Sequence, residues 1–226
     1  SRQSRGLGDV YKRQDKAVDP ETSMNTEIGF KSNQGLNSLE FTLFTNSYDN
    51  LLGADTAASG GGSDELFNGG AVDISGFELD LRRILVDNGR IQMPLELSWT
   101  STNSEFQESF DGFWGEVSKG DELPYLPDTM IALNLGLNVD KLSANISMKK
   151  TSEMRTVAGS GRIAESNATD ELTIIDLGLR YALQDNIRLS VGINNFMDDD
   201  GIAARRPYGA RPTMPRSFSL GVDYTF

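Results

Sequence analysis

Apolar residues occupy every second position in about nine separate segments of this 226-residue chain. The clearest is the last segment, where Phe218, Leu220, Val222, Tyr224 and Phe226 alternate with small or polar residues. A period of two is typical of β-strands whose two faces meet different surroundings. The pattern therefore predicts an all-β fold of about nine strands.

The positions between the apolar residues carry many charges, and this decides between kinds of β-fold. They include Glu27, Lys31, Glu40, Glu78, Asp80, Arg82, Glu96, Lys149, Arg180, Arg188 and Asp223. Burying so many charges inside a small sandwich would be costly. A transmembrane β-barrel accommodates them, because its lumen is polar while its outer face meets lipid. A soluble antiparallel barrel or sandwich is the alternative, since its strands also alternate.

The connections between the segments alternate between short and long. Short ones near 33–35, 87–89, 139–141 and 184–186 contain the Asn, Asp and Gly residues of hairpin turns. Long ones cover roughly 49–70, 103–126, 153–170 and 197–214. Outer-membrane barrels have tight periplasmic turns and long extracellular loops. The spacing therefore predicts an antiparallel barrel segment whose last strand ends in the periplasm.

One segment changes phase. Val72 and Ile74 are out of step with Phe77 and Leu79, and Gly76 lies between the two pairs. A β-bulge inserts one residue and would reset the alternation. We therefore predict a bulge at Gly76.

Composition limits the classes of function. No stretch approaches the roughly 18 apolar residues of a membrane helix, so any crossing would use strands. A net charge of −12 argues against a nucleic-acid partner. The chain has neither cysteine nor histidine, which excludes a Cys or His metal site and a histidine general base. Barrel proteases and phospholipases need such a base, so we expect this chain not to be an enzyme of that kind. We also expect no cofactor.

The first fourteen residues, SRQSRGLGDVYKRQ, differ from the rest of the chain. They are basic and show no apolar alternation. They resemble a translated adapter sequence, which predicts a non-native leader over residues 1–14, and a natural basic loop is the alternative. Residues 15–226 are then the β-domain.

Several motifs resemble those of TonB-dependent outer-membrane receptors. LSVGINNFMD at Leu189–Asp198 is similar to the family's penultimate strand and its Asn-Asn-aromatic-Asp turn. PRSF at 215–218, PET at 20–22 with NTEIGFKS after it, and ELPYLP at 122–127 resemble further family segments. The terminal Phe226 with its alternating apolar residues resembles the signal that the barrel assembly machinery recognises in outer-membrane proteins.

The resemblance implies more than these residues show. A complete family member has about 22 strands around an N-terminal plug domain. This chain would be a C-terminal part of such a barrel, without the plug, the TonB box and about thirteen strands. The implied function is TonB-energised uptake of a ferric chelate across the bacterial outer membrane. The implied partners are that chelate, the TonB complex acting through the plug, membrane lipid and the assembly machinery.

Two loops resemble those of one branch of the family, the ferric-citrate receptors. They are EMRTVAG at 153–159 and ARRPYGARP at 204–212. Ferric citrate is anionic, and arginine binds carboxylates through a planar, bidentate fork. The predicted ligand-binding residues are Arg155, Arg162, Arg205, Arg206 and Arg211. These arginines could instead pair with nearby acids such as Asp198, Asp199, Asp200 and Glu165. Another siderophore or a non-iron substrate is the alternative ligand, and a passive porin or another outer-membrane barrel is the alternative function.

Overall fold

Nine strands of the chain pair into one antiparallel sheet. The computed structural model describes residues 19–54, 66–112, 115–205 and 209–226. Within these ranges the strands are β1 (Thr22–Gln34), β2 (Asn37–Asp49), β3 (Leu52–Ala54), β4 (Leu66–Asn68), β5 (Val72–Asp87), β6 (Ile91–Phe106), β7 (Phe110–Gly112), β8 (Gly115–Val117), β9 (Thr129–Val139), β10 (Leu142–Thr151), β11 (Leu172–Gln184), β12 (Ile187–Asn194), β13 (Ile202–Ala204), β14 (Arg211–Pro212) and β15 (Ser217–Tyr224). The large sheet has the order β1-β2-β5-β6-β9-β10-β11-β12-β15. The prediction of about nine antiparallel strands is confirmed.

The strand register collects apolar side chains on one face of the sheet. One row crosses six strands through Leu39, Leu81, Leu97, Leu133, Met148 and Ile175. On the opposite face a matching row contains Ser38, Arg82, Glu96, Asn134, Ser147 and Asp176. We call these the apolar and the polar face. A slip of one residue would exchange the two faces, so the alternation itself specifies the register.

The apolar face is exposed along the sheet. Ile28 on β1 is 72% exposed, and Leu220 on β15 is 85% exposed. Among the described residues, the buried apolar side chains are Val72, Phe106, Val117 and Ala168, all at one end of the strands. No helix in the described ranges has the length and apolar character needed to cross a bilayer. The strands therefore present their apolar residues outward instead of packing them into a core.

The two ends of the sheet carry different connections, as predicted. At one end, tight turns join the strands, and Gly35 (φ 61°) and Asp140 (φ 48°) adopt the left-handed conformation that such hairpins need. At the other end lie four long connections: loop A (50–71), loop B (107–128), loop C (152–171) and loop D (195–216). Short hairpins β3–β4, β7–β8 and β13–β14 form within loops A, B and D. The predicted leader, residues 1–14, lies outside the described residues.

The predicted bulge at Gly76 is wrong. Gly76 pairs in unbroken register with Phe44 on one side and Thr102 on the other. The register shift in β5 lies instead between Ile84 and Val86, near the tight turn. A Cβ at residue 76 would collide with the backbone carbonyl of Ser101 and come within 2.9 Å of the Phe44 ring, so glycine is needed for close approach. Val72 and Ile74 therefore lie on the polar face, and the change of phase has another cause.

Candidate functional site

An apolar cluster at the loop end explains the change of phase. Val72 and Phe106 are 0% exposed and Val117 is 1% exposed, and the three form a buried core. Leu51 of loop A, Phe110 and Leu123 of loop B and Ala158 of loop C pack against it, together with Ile74 of strand β5. Phe106 and Phe110 meet edge to face with ring centroids 5.6 Å apart. Here the loops cover the polar face, so apolar residues belong on that side.

Loop B folds back onto β6 beneath this cluster. The backbone N–H of Leu123 donates to the Ser104 hydroxyl at 2.9 Å, and Ser104 is only 6% exposed. The N–H of Phe106 donates to the carbonyl of Asp121 at 2.8 Å. Strand β6 thus extends to Phe106, past the start of the loop predicted at residue 103. The extra residues are strand because 103–106 pair with 72–75 of β5, and loop B adds hydrogen bonds to their end.

Arg155 joins loops B and C. Its side chain is 7% exposed and its guanidinium lies 2.6 Å from the Glu122 carboxylate. It also donates to the carbonyl of Gly161 at 3.1 Å. A backbone bridge between Glu122 and Gly159 runs alongside. In this arrangement Arg155 holds two loops together, and its acidic partner is none of the four acids considered from the sequence.

Asp128 adds a third charge to this pair. Partial desolvation raises the pKa of its carboxyl above 3.8, the Glu122 carboxylate raises it further, and the Arg155 guanidinium opposes both. Asp128 is nevertheless exposed to solvent. Because water screens the charge of an exposed carboxylate, we expect the electrostatic effect to be small.

Arg205 joins loops C and D. Its Nε donates to the Ala168 carbonyl, and its guanidinium also donates to the Glu165 carbonyl at 2.9 Å. Ala168 in turn forms a backbone bridge with Arg155. The structure thus brings Arg155 and Arg205 to one segment of loop C. The contact with Glu165 is made through its backbone, not through the carboxylate that the sequence suggested.

The other predicted arginines lie on the same loops. Arg162 is exposed in loop C, and within the described ranges it forms no ion pair with a carboxylate. Arg211 is exposed in β14, where it pairs in register with Ala204, next to Arg205. Arg206 lies outside the described residues. Loops C and D therefore carry two exposed arginines, Arg162 and Arg211, beside the buried Arg155 and the half-buried Arg205.

Asn195 is a buried residue whose role the sequence did not reveal. It is 3% exposed and has a left-handed φ of 50°. Its side-chain amide donates to the carbonyls of Asp199 and Met214, at 3.0 and 2.9 Å. Its side-chain oxygen accepts from the N–H of Asp199 at 2.9 Å, and its own N–H donates to Asp176 at 2.8 Å. The Asn-Asn-aromatic-Asp motif was visible in the sequence, but not which asparagine closes loop D.

Two acids of loop D, Asp198 and Asp199, accept hydrogen bonds at the two ends of the loop. Asp198 accepts from the N–H of Arg216 at 2.9 Å, and its carboxylate lies 3.7 Å from that guanidinium. Asp199 accepts from the N–H of Thr173 at 2.7 Å. These carboxylates hold the ends of loop D against β11 and β15. The arginine they engage, Arg216, is not one of those predicted to bind ligand.

The last strand shows the apolar alternation most openly. Phe218, Leu220, Val222 and Tyr224 are between 54% and 85% exposed on the apolar face of β15. Phe226 follows the strand, fully exposed, and its ring packs edge to face with Tyr224 at 5.0 Å. Strand β15 pairs with β12 and lies at an edge of the sheet.

Comparison with solved structures finds this fold repeatedly. The chain superimposes on the ferric-catecholate import receptor Fiu from E. coli K12 with a TM-score of 0.71 and 19% identity, covering 100% of this chain and 30% of that one. The siderophore receptor PiuA from Acinetobacter baumannii gives 0.70 and 20%, covering 93% and 29%. The copper transporter OprC gives 0.68 and 16%, covering 93% and 32%. No curated protein shows significant sequence similarity.

The chain spans about 30% of the length of these solved structures. At such low sequence identities, the structural similarity establishes the fold alone. Sequence comparison goes further, because the family profile described as TonB dependent receptor-like, beta-barrel matches residues 3–196. The apolar face is then the lipid-facing side and the polar face lines the lumen. The chain belongs to the TonB-dependent receptor β-barrel family, whose members are transport receptors of the bacterial outer membrane.

Proposed function

We propose that this chain is part of a receptor that captures an anionic ferric chelate at loops C and D, for import energised by the TonB complex. The observation that carries the proposal is the convergence of these two loops at Ala168, which Arg155 and Arg205 both contact. Arg162 and Arg211 are exposed on the same loops. Together they place cationic side chains around one region of an otherwise acidic chain.

The arginines have different roles in this proposal. Arg155 is buried and paired, so it supports the loops. Arg162 and Arg211 contact the ligand, and their planar guanidinium groups suit citrate carboxylates. Arg205 offers the ligand the guanidinium N–H groups that do not donate to backbone carbonyls. Arg206 is the next residue in the chain. The chain takes no catalytic part, because binding and gating are sufficient for import.

Radiolabelled ferric citrate binding to outer-membrane vesicles that contain the receptor tests this proposal. The double variant Arg162→Gln/Arg211→Gln is expected to weaken binding by about tenfold or more, because each charge-assisted hydrogen bond contributes about 1.5–3 kcal/mol. Arg90→Gln is the matched control. Arg90 is also an exposed arginine, but it pairs with Asp140 at the tight-turn end, 3.0 Å away.

Two competing functions predict different results. Similarity to OprC makes copper a reasonable alternative cargo, and saturable binding of Cu²⁺ without binding of ferric citrate would favour it. A passive porin would admit its solute equally well after the TonB complex is inactivated. Our proposal expects binding to persist without TonB while accumulation inside the cell stops.

We propose in addition that β15 and Phe226 are the signal for the barrel assembly machinery. The exposed row from Phe218 to Phe226 supports this role. Replacing Phe226 with Ser should reduce the amount of receptor in the outer membrane, whereas Thr225→Ser should not. Equal amounts of the two variants in fractionated membranes would contradict the proposal.

A further inference from the structure

Tyr125 of loop B contacts both loops that carry the candidate arginines. Its backbone N–H donates to the carbonyl of Arg155 in loop C at 2.9 Å. Its phenolic oxygen accepts from the backbone N–H of Arg205 in loop D at 3.3 Å. Arg205 is 80 residues further along the chain. One side chain and its own peptide group thus connect three loops.

The backbone of Tyr125 is strained. Its φ is 59°, in the left-handed region, which is unfavourable for a bulky residue. Such a conformation persists only where surrounding contacts enforce it, and these positions are concentrated at functional sites. The contacts are present here, because the Glu122–Gly159 bridge and the Arg155–Glu122 ion pair fix the chain three residues earlier.

We propose that Tyr125 is a positioning residue for ligand capture, which sets the separation between loops C and D. The proposal rests on the function proposed above, because it concerns the arginines of those loops. Loop C carries Arg155 and Arg162, while loop D carries Arg205 and Arg211. A chelate with several carboxylates must contact both loops at once. Without the Tyr125 hydroxyl each arginine remains, but the backbone of Arg205 loses its hydrogen bond to loop B.

Tyr125→Phe tests the hydrogen bond between loops B and D, because it keeps the ring and removes only the oxygen. In cells producing the receptor, the half-saturation concentration for ferric citrate uptake should rise about two- to tenfold, the range expected for one neutral hydrogen bond. The maximal uptake rate should be unchanged, since steps after capture do not use this contact. Amide hydrogen exchange at Arg205, measured without ligand in outer-membrane vesicles, should accelerate by a similar factor.

Tyr181→Phe is the matched control, because Tyr181 lies on the apolar face of β11 and is 42% exposed. A second variant, Tyr125→Asn, tolerates the left-handed φ but lacks the ring, so it should show the same rise in half-saturation without backbone strain. Unchanged exchange at Arg205 in Tyr125→Phe, or a lower maximal rate with unchanged half-saturation, overturns the proposal. If exchange at Arg205 is faster in Tyr125→Phe but the receptor binds no ferric citrate, the role of the Tyr125 hydrogen bond is supported and only the proposed ligand is refuted.

Discussion

The sheet and the loop end of this protein place their apolar residues on opposite sides. Along the sheet, rows such as Leu81 and Leu97 point away from the polar face and are half-exposed on the lipid-facing side. Above them, Val72 and Phe106 lie on the polar face and are fully buried under the loops. Between Leu81 and Val72, strand β5 therefore passes from lipid to water with its register to β6 unbroken. A change of phase in such a strand indicates a change of surroundings, not necessarily a bulge.

The two regions also differ in what holds them together. The sheet depends on a ladder of backbone hydrogen bonds with a regular register. The loops depend on a few buried groups, namely Phe106, Asn195 and the Arg155–Glu122 pair. Single substitutions should therefore lower local stability strongly in the loops and weakly on the lipid-facing side.

Phe106→Ala should have the largest effect. Phe106 is 0% exposed, and removing a buried phenylalanine costs about 3–5 kcal/mol. We expect loops A, B and C to become accessible to protease in outer-membrane vesicles while the sheet remains intact. Leu220→Ala is the comparison, since Leu220 is 85% exposed and leaves no cavity in the protein. Equal proteolysis of the two variants would contradict a separate loop core.

Asn195→Ala should open loop D. The substitution removes three side-chain hydrogen bonds from a residue that is 3% exposed, so we expect a loss of about 2–4 kcal/mol in local stability. Hydrogen exchange of the Asp199 amide measures this loss directly. Asn194→Ala is the control, because Asn194 is exposed and, among the residues that the structure describes, its side chain donates to Ser217 alone, at 3.2 Å. The comparison fails if Asn194→Ala accelerates exchange as much.

Glu122→Gln compares an ion pair that has a buried arginine with one in which both side chains are exposed. The Arg155–Glu122 distance is 2.6 Å with side chains 7% and 40% exposed, while Lys31–Glu40 is 2.7 Å with side chains 61% and 45% exposed. Loss of the charged partner of a buried arginine should cost about 1.5–3 kcal/mol. Glu40→Gln should cost less than about 1 kcal/mol. Local opening energies from hydrogen exchange near Gly159 and Lys31 give the two values, and equal costs would mean that burial is irrelevant here.

Asp128→Asn should have the smallest effect, visible as a pH dependence. A carboxyl whose pKa is raised on folding binds its proton more tightly in the folded state. Its contribution therefore favours the loops below the raised pKa and is lost as pH rises through that value. Asparagine lacks this charge, so the variant should hold loop B slightly better at pH 7, by under about 1 kcal/mol. The explanation is wrong if the free energy of opening changes between pH 4 and pH 7 by the same amount in Asp128→Asn and in the unsubstituted protein.

The sequence predicted the sheet well because alternation is a local signal that also fixes register. The rows through Leu97 and Leu133 follow from it directly. The loops were less predictable because their contacts join distant residues, such as Arg155 with Glu122, 33 positions apart. No periodic pattern indicates such a pair. The five arginines were identified from residue type and resemblance, and neither reveals that one of them is buried.

The first and last strands of the sheet run in the same direction. Eight antiparallel steps separate β1 from β15, so both strands run from the loop end towards the tight-turn end. A cylinder in which every neighbour is antiparallel contains an even number of strands. Nine strands therefore cannot close on themselves in this manner, and two copies side by side would meet at parallel seams. Whatever completes an all-antiparallel wall must supply an odd number of strands.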